Sequence, residues 1–211
     1  RTNMIEQQIR PWDVLDQRVL DAITQLPRER FVAEQYKSLA FTDMQVPINE
    51  DQVMMEPKLE ARILQTLQIA PEDRILEIGT GTGYLTACLA LLGNEVVTVD
   101  IDPELSRQAQ QRLAGKRFEN IAFQVGDASE GWDRDGEFDV IAITGSLPEH
   151  PESYKQQLKK NGRLFVIEGE EPLMEAQLIT RTGKFDWSVE SLFETCLPAL
   201  VNTRNTDTFV F

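Results

Sequence analysis

Three glycines in strict alternation, Gly79, Gly81 and Gly83, stand between a short apolar run, Ile75 to Ile78, and a segment of helical length, Tyr84 to Leu92. Glycine lets the main chain turn tightly and lets a ligand approach with no side chain in the way, and it loses more freedom on folding than any other residue. Three such residues at one strand-to-helix turn therefore point to a ligand lying over the end of a strand, where main-chain N–H groups are free to meet it. The first element is then a strand whose chain returns through a helix, and such a crossover makes the next strand parallel to it.

The chain from Arg74 onward repeats that unit. Ile75 to Ile78, Val96 to Val99, Ile121 to Val125, Phe138 to Ile143 and Leu164 to Ile167 each have the length of a buried strand. Pro103 to Leu113 and Glu152 to Lys160 lie between them with helical length and polar faces. This alternation predicts an α/β fold, a Rossmann-like sheet that is mostly parallel and covered on both faces. Beyond Gly169 the pattern changes to strand pairs, Leu178 to Thr180 and Ser188 to Phe193, with a turn at Thr182-Gly183. An antiparallel C-terminal strand is expected, with Phe209 to Phe211 as a candidate last strand.

Before Arg74 the chain reads as helical and locally punctuated. Leu15, Val19, Ile23 and Leu26 recur at helical spacing up to Pro27, with Asp13 as the expected N-cap. A short segment around Phe31 to Tyr36, an irregular stretch from Asp43 to Pro57 and a helix from Leu59 to Leu67 follow. The 211 residues contain no repeat, so one domain is expected over 1–211. Within it, 1–70 forms a helical and substrate-loop region, 71–170 the ligand-binding core and 171–211 the C-terminal strands.

Charge and composition narrow the partners. A net charge of −14 repels a phosphate backbone, so no nucleic acid is expected as a partner. Lys159, Lys160 and Arg163 come closest to a basic cluster, and they read as the solvated end of a helix beside Asn161-Gly162. No run approaches the roughly 20 apolar residues of a membrane helix, and Arg1 to Arg10 lacks the apolar centre of a secretion signal. No membrane partner and a cytoplasmic location are expected. Cys88 and Cys196 lack metal-ligand spacing, so they read as two reduced, buried thiols and no metal is expected.

The glycine spacing separates two ligand classes. A dinucleotide-binding turn reads G-x-G-x-x-G, with the third glycine where helix packs on strand; here Tyr84 holds that place. The sequence Glu77-Ile78-Gly79-Thr80-Gly81-Thr82-Gly83 instead resembles motif I of the S-adenosylmethionine-dependent methyltransferases. The resemblance implies a class I methyltransferase sheet with S-adenosyl-L-methionine as cofactor. It implies that Glu77 organises the methionine part and that Gly79, Thr80, Gly81 and Gly83 face the cofactor. The second strand ends at Asp100, about 20 residues after the turn begins. An acid there, with Ile101 beside it, can accept from both ribose hydroxyls. Asp102 precedes Pro103 and reads as a helix N-cap. After the third strand, Asp127 with Ala128 is placed to accept from an adenine amino group. Thr144 ends the fourth strand, facing the transfer site, as expected at the carboxyl ends of parallel strands.

Flanking motifs carry a closer resemblance. Gln8-Ile9-Arg10, Arg18-Val19-Leu20-Asp21-Ala22, Pro27-Arg28-Glu29-Arg30-Phe31-Val32, Val46-Pro47-Ile48, Gly131-Trp132 and Leu158 to Leu164 are similar to the protein-L-isoaspartate O-methyltransferase family. That family moves a methyl group to the α-carboxylate of isoaspartyl residues in damaged proteins. The resemblance implies a protein or peptide bearing isoaspartate as partner.

One segment departs from it. Where the family reads G-x-G-Q-T-I-S-x-P, this chain has Asn49-Glu50-Asp51-Gln52-Val53-Met54-Met55-Glu56-Pro57. Gln52 and Val53 keep the positions of cofactor-pocket residues, but Val53 replaces the threonine and Met55 the serine treated as catalytic. Losing a bond to a charged group costs about 1.5–3 kcal/mol, or roughly 10- to 100-fold in rate. Cofactor binding is thus expected to persist and isoaspartyl transfer to be weak or absent. The loss of two loop glycines to Asn49 and Asp51 should also change the loop's backbone freedom. Three alternatives stay open: an unidentified methyl acceptor, a non-catalytic S-adenosylmethionine-binding sensor, and a nicotinamide-dependent oxidoreductase, the last disfavoured by the glycine spacing. His150 is expected to be solvated, and the tail from Leu197 to Asn202 resembles the family segment that closes over the cofactor.

Overall fold

The computed structural model describes residues 1–149 and 152–203; His150 and the expected strand at 209–211 lie outside the described residues. The N-terminal segment winds through α1 (Thr2–Met4), a π-type turn (Ile5–Ile9) and a 3-10 turn (Arg10–Trp12) before α2 (Gln17–Gln25). Asp16, not Asp13, caps α2, accepting from the Arg18 N–H, while Asp13 takes a left-handed conformation at φ 57. Leu15 consequently lies before the helix and 66% exposed, and Val19, Leu20, Ala22 and Ile23 form the buried face. The segment expected around Phe31 to Tyr36 is a 3-10 stretch, Glu34–Leu39.

The irregular stretch holds a small hairpin, β1 (Val46–Pro47) and β2 (Val53–Met54), followed by α3 (Pro57–Thr66). The sheet then unfolds in sequence order: β3 (Arg74–Ile78), α4 (Tyr84–Leu92), β4 (Glu95–Asp100), α5 (Pro103–Arg112), β5 (Ile121–Val125), β6 (Phe138–Leu147), α6 (Glu152–Gln156), β7 (Leu158–Glu170), β8 (Leu173–Arg181) and β9 (Trp187–Glu194). Spatially the seven strands run β5-β4-β3-β6-β7-β8-β9. The first five are parallel, and β8 and β9 are antiparallel. The order reverses beside β3, since the chain leaves it toward β4 on one side and returns to β6 on the other. Crevices at such points are where open α/β sheets hold ligands.

Alternation along the central strands feeds two cores. Ile75, Val96, Val140 and Phe165 point into the core shared with α2, α3 and α4. Leu76, Val97, Ile141 and Leu164 point into the second, which Tyr154 of α6 and Trp132 cover. Asp102 caps α5 as expected, accepting from the Glu104 and Leu105 N–H groups.

The basic cluster is not a helix end. α6 stops at Gln156, and Lys159 to Arg163 lie within β7, where Asn161 (φ 64) marks a break in pairing with β6. Lys159 bonds the Asp139 carboxylate at 2.7 Å, and Arg163 bonds Asp73 and the Leu67 and Gln68 carbonyls. Lys159 thus ties β7 to β6, and Arg163 ties it to the loop before β3. The thiols also differ from expectation: Cys88 is buried, whereas Cys196 is exposed and bonds Glu171. No helix among the described residues is long and apolar enough to cross a membrane.

Candidate functional site

The glycine turn leaves β3 with all three glycines at positive φ, +95 at Gly79, +50 at Gly81 and +84 at Gly83. The Gly79 N–H donates to the Val99 carbonyl at 2.8 Å, fastening the turn to β4. A Cβ on Gly79 would lie 2.2 Å from Thr144 Oγ1, so the close approach here is that of β6. Thr144 does not end its strand, since β6 runs on to Leu147; its hydroxyl bonds the Ile78 and Gly79 carbonyls and ties β6 to the tip of β3. Gly79, Thr80, Gly81 and Thr144 all line one half-open cleft over the strand ends. Gly83 does not line it. A Cβ there would meet Ala109 of α5 at 3.0 Å, so this glycine serves helix packing.

Two acids face the cleft from the sheet. Asp100 is 4% exposed; its Oδ2 accepts from the Gly81 N–H at 2.8 Å and its Oδ1 from the Asp102 N–H at 2.9 Å. Burial raises its pKa, and these main-chain donors oppose the rise. Each oxygen keeps a further lone pair for a ligand hydroxyl. Glu77 is fully buried, with Oε2 accepting from the hydroxyls of Thr86 at 2.5 Å and Thr98 at 2.6 Å, and Thr98 meeting Thr80 at 2.6 Å. Burial pushes the Glu77 carboxyl up to about 8, although the two hydroxyls lower it. Its Oε1 has no hydrogen-bond partner among the described residues. A buried acceptor without a partner is costly, and this residue lines the cleft.

After β5, the turn carrying Asp127 and Ala128 is set by two aromatic residues. A Cβ on Gly126 would lie 2.8 Å from the Trp132 ring, and the Tyr154 hydroxyl donates to the Ala128 carbonyl. Asp127 is exposed, and donation from the Ser129 N–H and then from Asn202 holds its carboxyl below the usual range. Asn202 Nδ2 reaches Asp127 Oδ2 at 2.9 Å. The tail arrives there because Ser146 bonds the Leu197 and Pro198 carbonyls and accepts from the Leu200 N–H. Leu197 to Val201 thus line the cleft, as do Ile101, Asp127 and Ala128.

The opposite wall is the hairpin. Asn49 closes its loop by accepting from the Asp51 and Gln52 N–H groups at 3.0 and 2.8 Å and donating to Gln52 Oε1 at 2.7 Å. A side-chain turn of this kind closes the loop without a glycine in it. Gln52, Val53 and Met55 line the cleft, and Met55 is 5% exposed. Its carbonyl accepts from Arg28 Nη2 at 2.6 Å, while Arg28 Nη1 donates to Glu60 at 3.0 Å. Glu60 also lines the cleft, and burial pushes its carboxyl up to about 7 despite the Arg28 charge.

Neither Arg28 nor Glu60 carries a role that the sequence by itself assigns. A signal existed: Glu60 shares the buried face of α3 with Leu59, Ile63 and Leu64, and an acid on such a face needs a partner. Arg28 is 32 residues distant, and only folding shows it to be that partner.

The residues fit an adenosyl ligand with a charged tail, because free carboxylate lone pairs are placed to accept from a ligand's hydroxyl and N–H groups and bare glycine backbone adjoins them. Comparison with known proteins points the same way. Residues 1–202 match the family model described as protein-L-isoaspartate(D-aspartate) O-methyltransferase. The chain is 38% identical to a protein-L-isoaspartate O-methyltransferase of Protochlamydia amoebophila over 183 residues, 87% of this chain and 86% of that one. It is 39% identical to one of Myxococcus xanthus, over 85% of this chain and 86% of the relative. Its fold matches a Plasmodium falciparum protein assigned to the same class and solved in complex with S-adenosyl-L-homocysteine, with a TM-score of 0.80, 21% identity and coverage of 94% and 96%.

Proposed function

From the premise that this chain belongs to the protein-L-isoaspartate(D-aspartate) O-methyltransferase family, we propose that its cleft keeps the family's cofactor half and carries an altered acceptor half. The chain is an S-adenosylmethionine-dependent O-methyltransferase. Its acceptors are proteins or peptides bearing isoaspartyl residues, and transfer to them is slow.

When bound, S-adenosylmethionine supplies a methyl group activated on sulfur. The residues of the chain bind and orient around it. Asp100 accepts from the ribose hydroxyls, Gly79 to Gly81 present bare backbone, and Asp127 takes the adenine amino group, with Ile101 and Ala128 flanking the base. Gln52, Val53 and Thr144 border the transfer end, and Glu77 addresses the amino-acid part of the cofactor. Leu197 to Val201 exclude water from above.

The observation that carries this reading is the convergence on one cleft of the glycine turn, Asp100, Asp127 and the buried Met55. A carboxylate acceptor is already ionised near pH 7, so the site must align it and exclude water rather than remove a proton. A thioether at position 55 excludes water but offers a carboxylate no hydrogen-bond donor. Transfer of labelled methyl to an isoaspartyl peptide tests this. Wild-type turnover should be low, and Met55→Ser should raise kcat/KM by roughly 10-fold or more. Rapid wild-type turnover that Met55→Ser leaves unchanged would refute the altered acceptor half.

A further inference from the structure

Between the hairpin and α3 the chain crosses the acceptor side of the cleft without regular structure. β2 stops at Met54, where its pairing to Val46 ends, and α3 starts at Pro57, whose N-cap residue Glu56 makes no side-chain cap. Met55 lies in this gap and lines the cleft. Its carbonyl is held by Arg28 Nη2 at 2.6 Å, while Nη1 of the same guanidinium reaches Glu60 Oε2 on α3 at 3.0 Å. The guanidinium carbon stands 5.2 Å from the centre of the Tyr84 ring, and Tyr84 opens α4 directly after the glycine turn. Phe31, just past a 3-10 turn (Arg28–Arg30), meets the same ring edge-on at 5.3 Å. One planar group thus joins the exit of the hairpin, α3 and the helix that follows the glycine turn.

Stability does not account for this arrangement. A buried ion pair is often no more stabilising than a well-packed apolar pair of similar volume. Arg28 Nε is also buried and has no hydrogen-bond partner among the described residues, and an unmade bond of that kind costs further free energy. What the guanidinium supplies is geometry. Its donors lie in a rigid plane and fix the relative places of the groups they hold, whereas an apolar side chain would leave the Met55 carbonyl free to shift. Methyl transfer depends on such placement, since a misplacement of about 1 Å can cost roughly 100-fold in rate.

We propose that Arg28, with Glu60 as its counter-charge, is a positioning residue for methyl transfer: it fixes the main chain at Met55, and with it the acceptor wall, relative to the glycine turn. This rests on the acceptor half assigned above. Arg28 does not itself line the cleft, so it acts through Met55. A serine at position 55 aligns a carboxylate only when its own main chain is held, so the gain from Met55→Ser depends on Arg28. Cofactor binding rests on Gly79 to Gly81 and Asp100 and does not depend on this guanidinium.

Arg28→Lys keeps a positive charge for Glu60 but loses the paired, planar donors. In the Met55→Ser background it should lower kcat for an isoaspartyl peptide about tenfold, removing most of the gain, and leave S-adenosylmethionine affinity by calorimetry within twofold. In the whole chain, hydrogen exchange at residues 53–56 should quicken about tenfold or more while β3 to β7 keep their protection. Arg28→Met with Glu60→Leu removes the pair without stranding a charge; it should melt within a few degrees of wild type, yet show the same faster exchange and slower transfer. A gain from Met55→Ser that survives Arg28→Lys in full, or exchange at residues 53–56 that neither variant changes, overturns the proposal and leaves the proposed function standing. Loss of cofactor affinity in step with kcat also overturns it, because a general loosening of the fold would do that. If Met55→Ser gives no gain with Arg28 intact, the altered acceptor half fails; faster exchange at residues 53–56 then still supports the hold of Arg28 on this wall, and unchanged exchange overturns it.

Discussion

The backbone N–H of Gly81 donates to the Asp100 carboxylate across 2.8 Å, tying the middle of the glycine turn to the tip of the neighbouring strand. The same carboxylate accepts from Asp102 at the start of α5. One side chain thus sets the turn and offers its remaining lone pairs to the cleft. Asp100→Asn keeps an acceptor oxygen but loses the charge, and hydrogen bonds to charged groups are worth about 1.5–3 kcal/mol. Cofactor affinity by calorimetry should fall roughly 10- to 100-fold. The melting temperature should drop by only a few degrees, since both N–H groups lie at the half-open cleft. Unchanged affinity would remove Asp100 from the site.

Gly79→Ala meets two obstacles, a Cβ placed 2.2 Å from Thr144 Oγ1 and a φ of +95. The positive φ alone costs about 1–3 kcal/mol for a non-glycine residue. Removing the hydroxyl with Thr144→Ala should relieve the clash but not the backbone strain. In chemical denaturation the double variant should therefore recover only part of the loss. Full recovery would show that sterics alone demand this glycine.

Glu77 gives stability a pH dependence whose sign can be worked out. Unfolded, its carboxyl ionises near 4.5; folded, it keeps its proton to about 8. Between these values the native state binds the extra proton, so this residue's contribution to stability falls as pH rises, by at most about 1.4 kcal/mol per unit, and levels off above 8. Glu77→Gln can still accept from Thr86 and Thr98 and cannot ionise. Denaturation of this variant from pH 5 to 8 should show a flatter profile than wild type. Identical slopes would mean that Glu77 is ionised in the native state.

Arg28 and Glu60 form an ion pair with side chains 1% and 3% exposed. Removing one partner from a buried pair strands the other and costs about 3–5 kcal/mol, whereas replacing both with apolar groups is often close to neutral. Arg28→Met should therefore destabilise far more than Arg28→Met with Glu60→Leu. A double-mutant cycle read by denaturant midpoint measures the difference, and additive losses would show that the two residues are uncoupled.

Much of this was legible in the sequence because it is local. The strands from β3 to β7 are short apolar runs, and their alternation with amphipathic segments has only one economical arrangement, a parallel sheet. The turn at Gly79 to Gly83, the acid at the end of β4 and the Asp102 cap are likewise neighbours in the chain. Where local signals compete, residue order alone does not choose between them. Asp13 and Asp16 both suit a cap, and the contact of Gln65 with the Leu15 and Asp16 N–H groups helps place the helix start at the second. Lys159 to Arg163 look like a solvated helix end until Asp139 and Asp73 are seen to hold them in β7.

What residue order by itself determined is the strand–turn–helix unit, the glycines and acids around the cleft, and the apolar side chains at positions 53 and 55. Tertiary structure alone decided that Gly83 serves helix packing, that Asn202 reaches Asp127 from the far end of the chain, and that Arg28 stands between Met55 and Glu60. The reason is physical. Backbone preferences and periodicity act over a few residues, whereas the state of a buried charge depends on groups that are distant in sequence and become neighbours only when the chain closes around them.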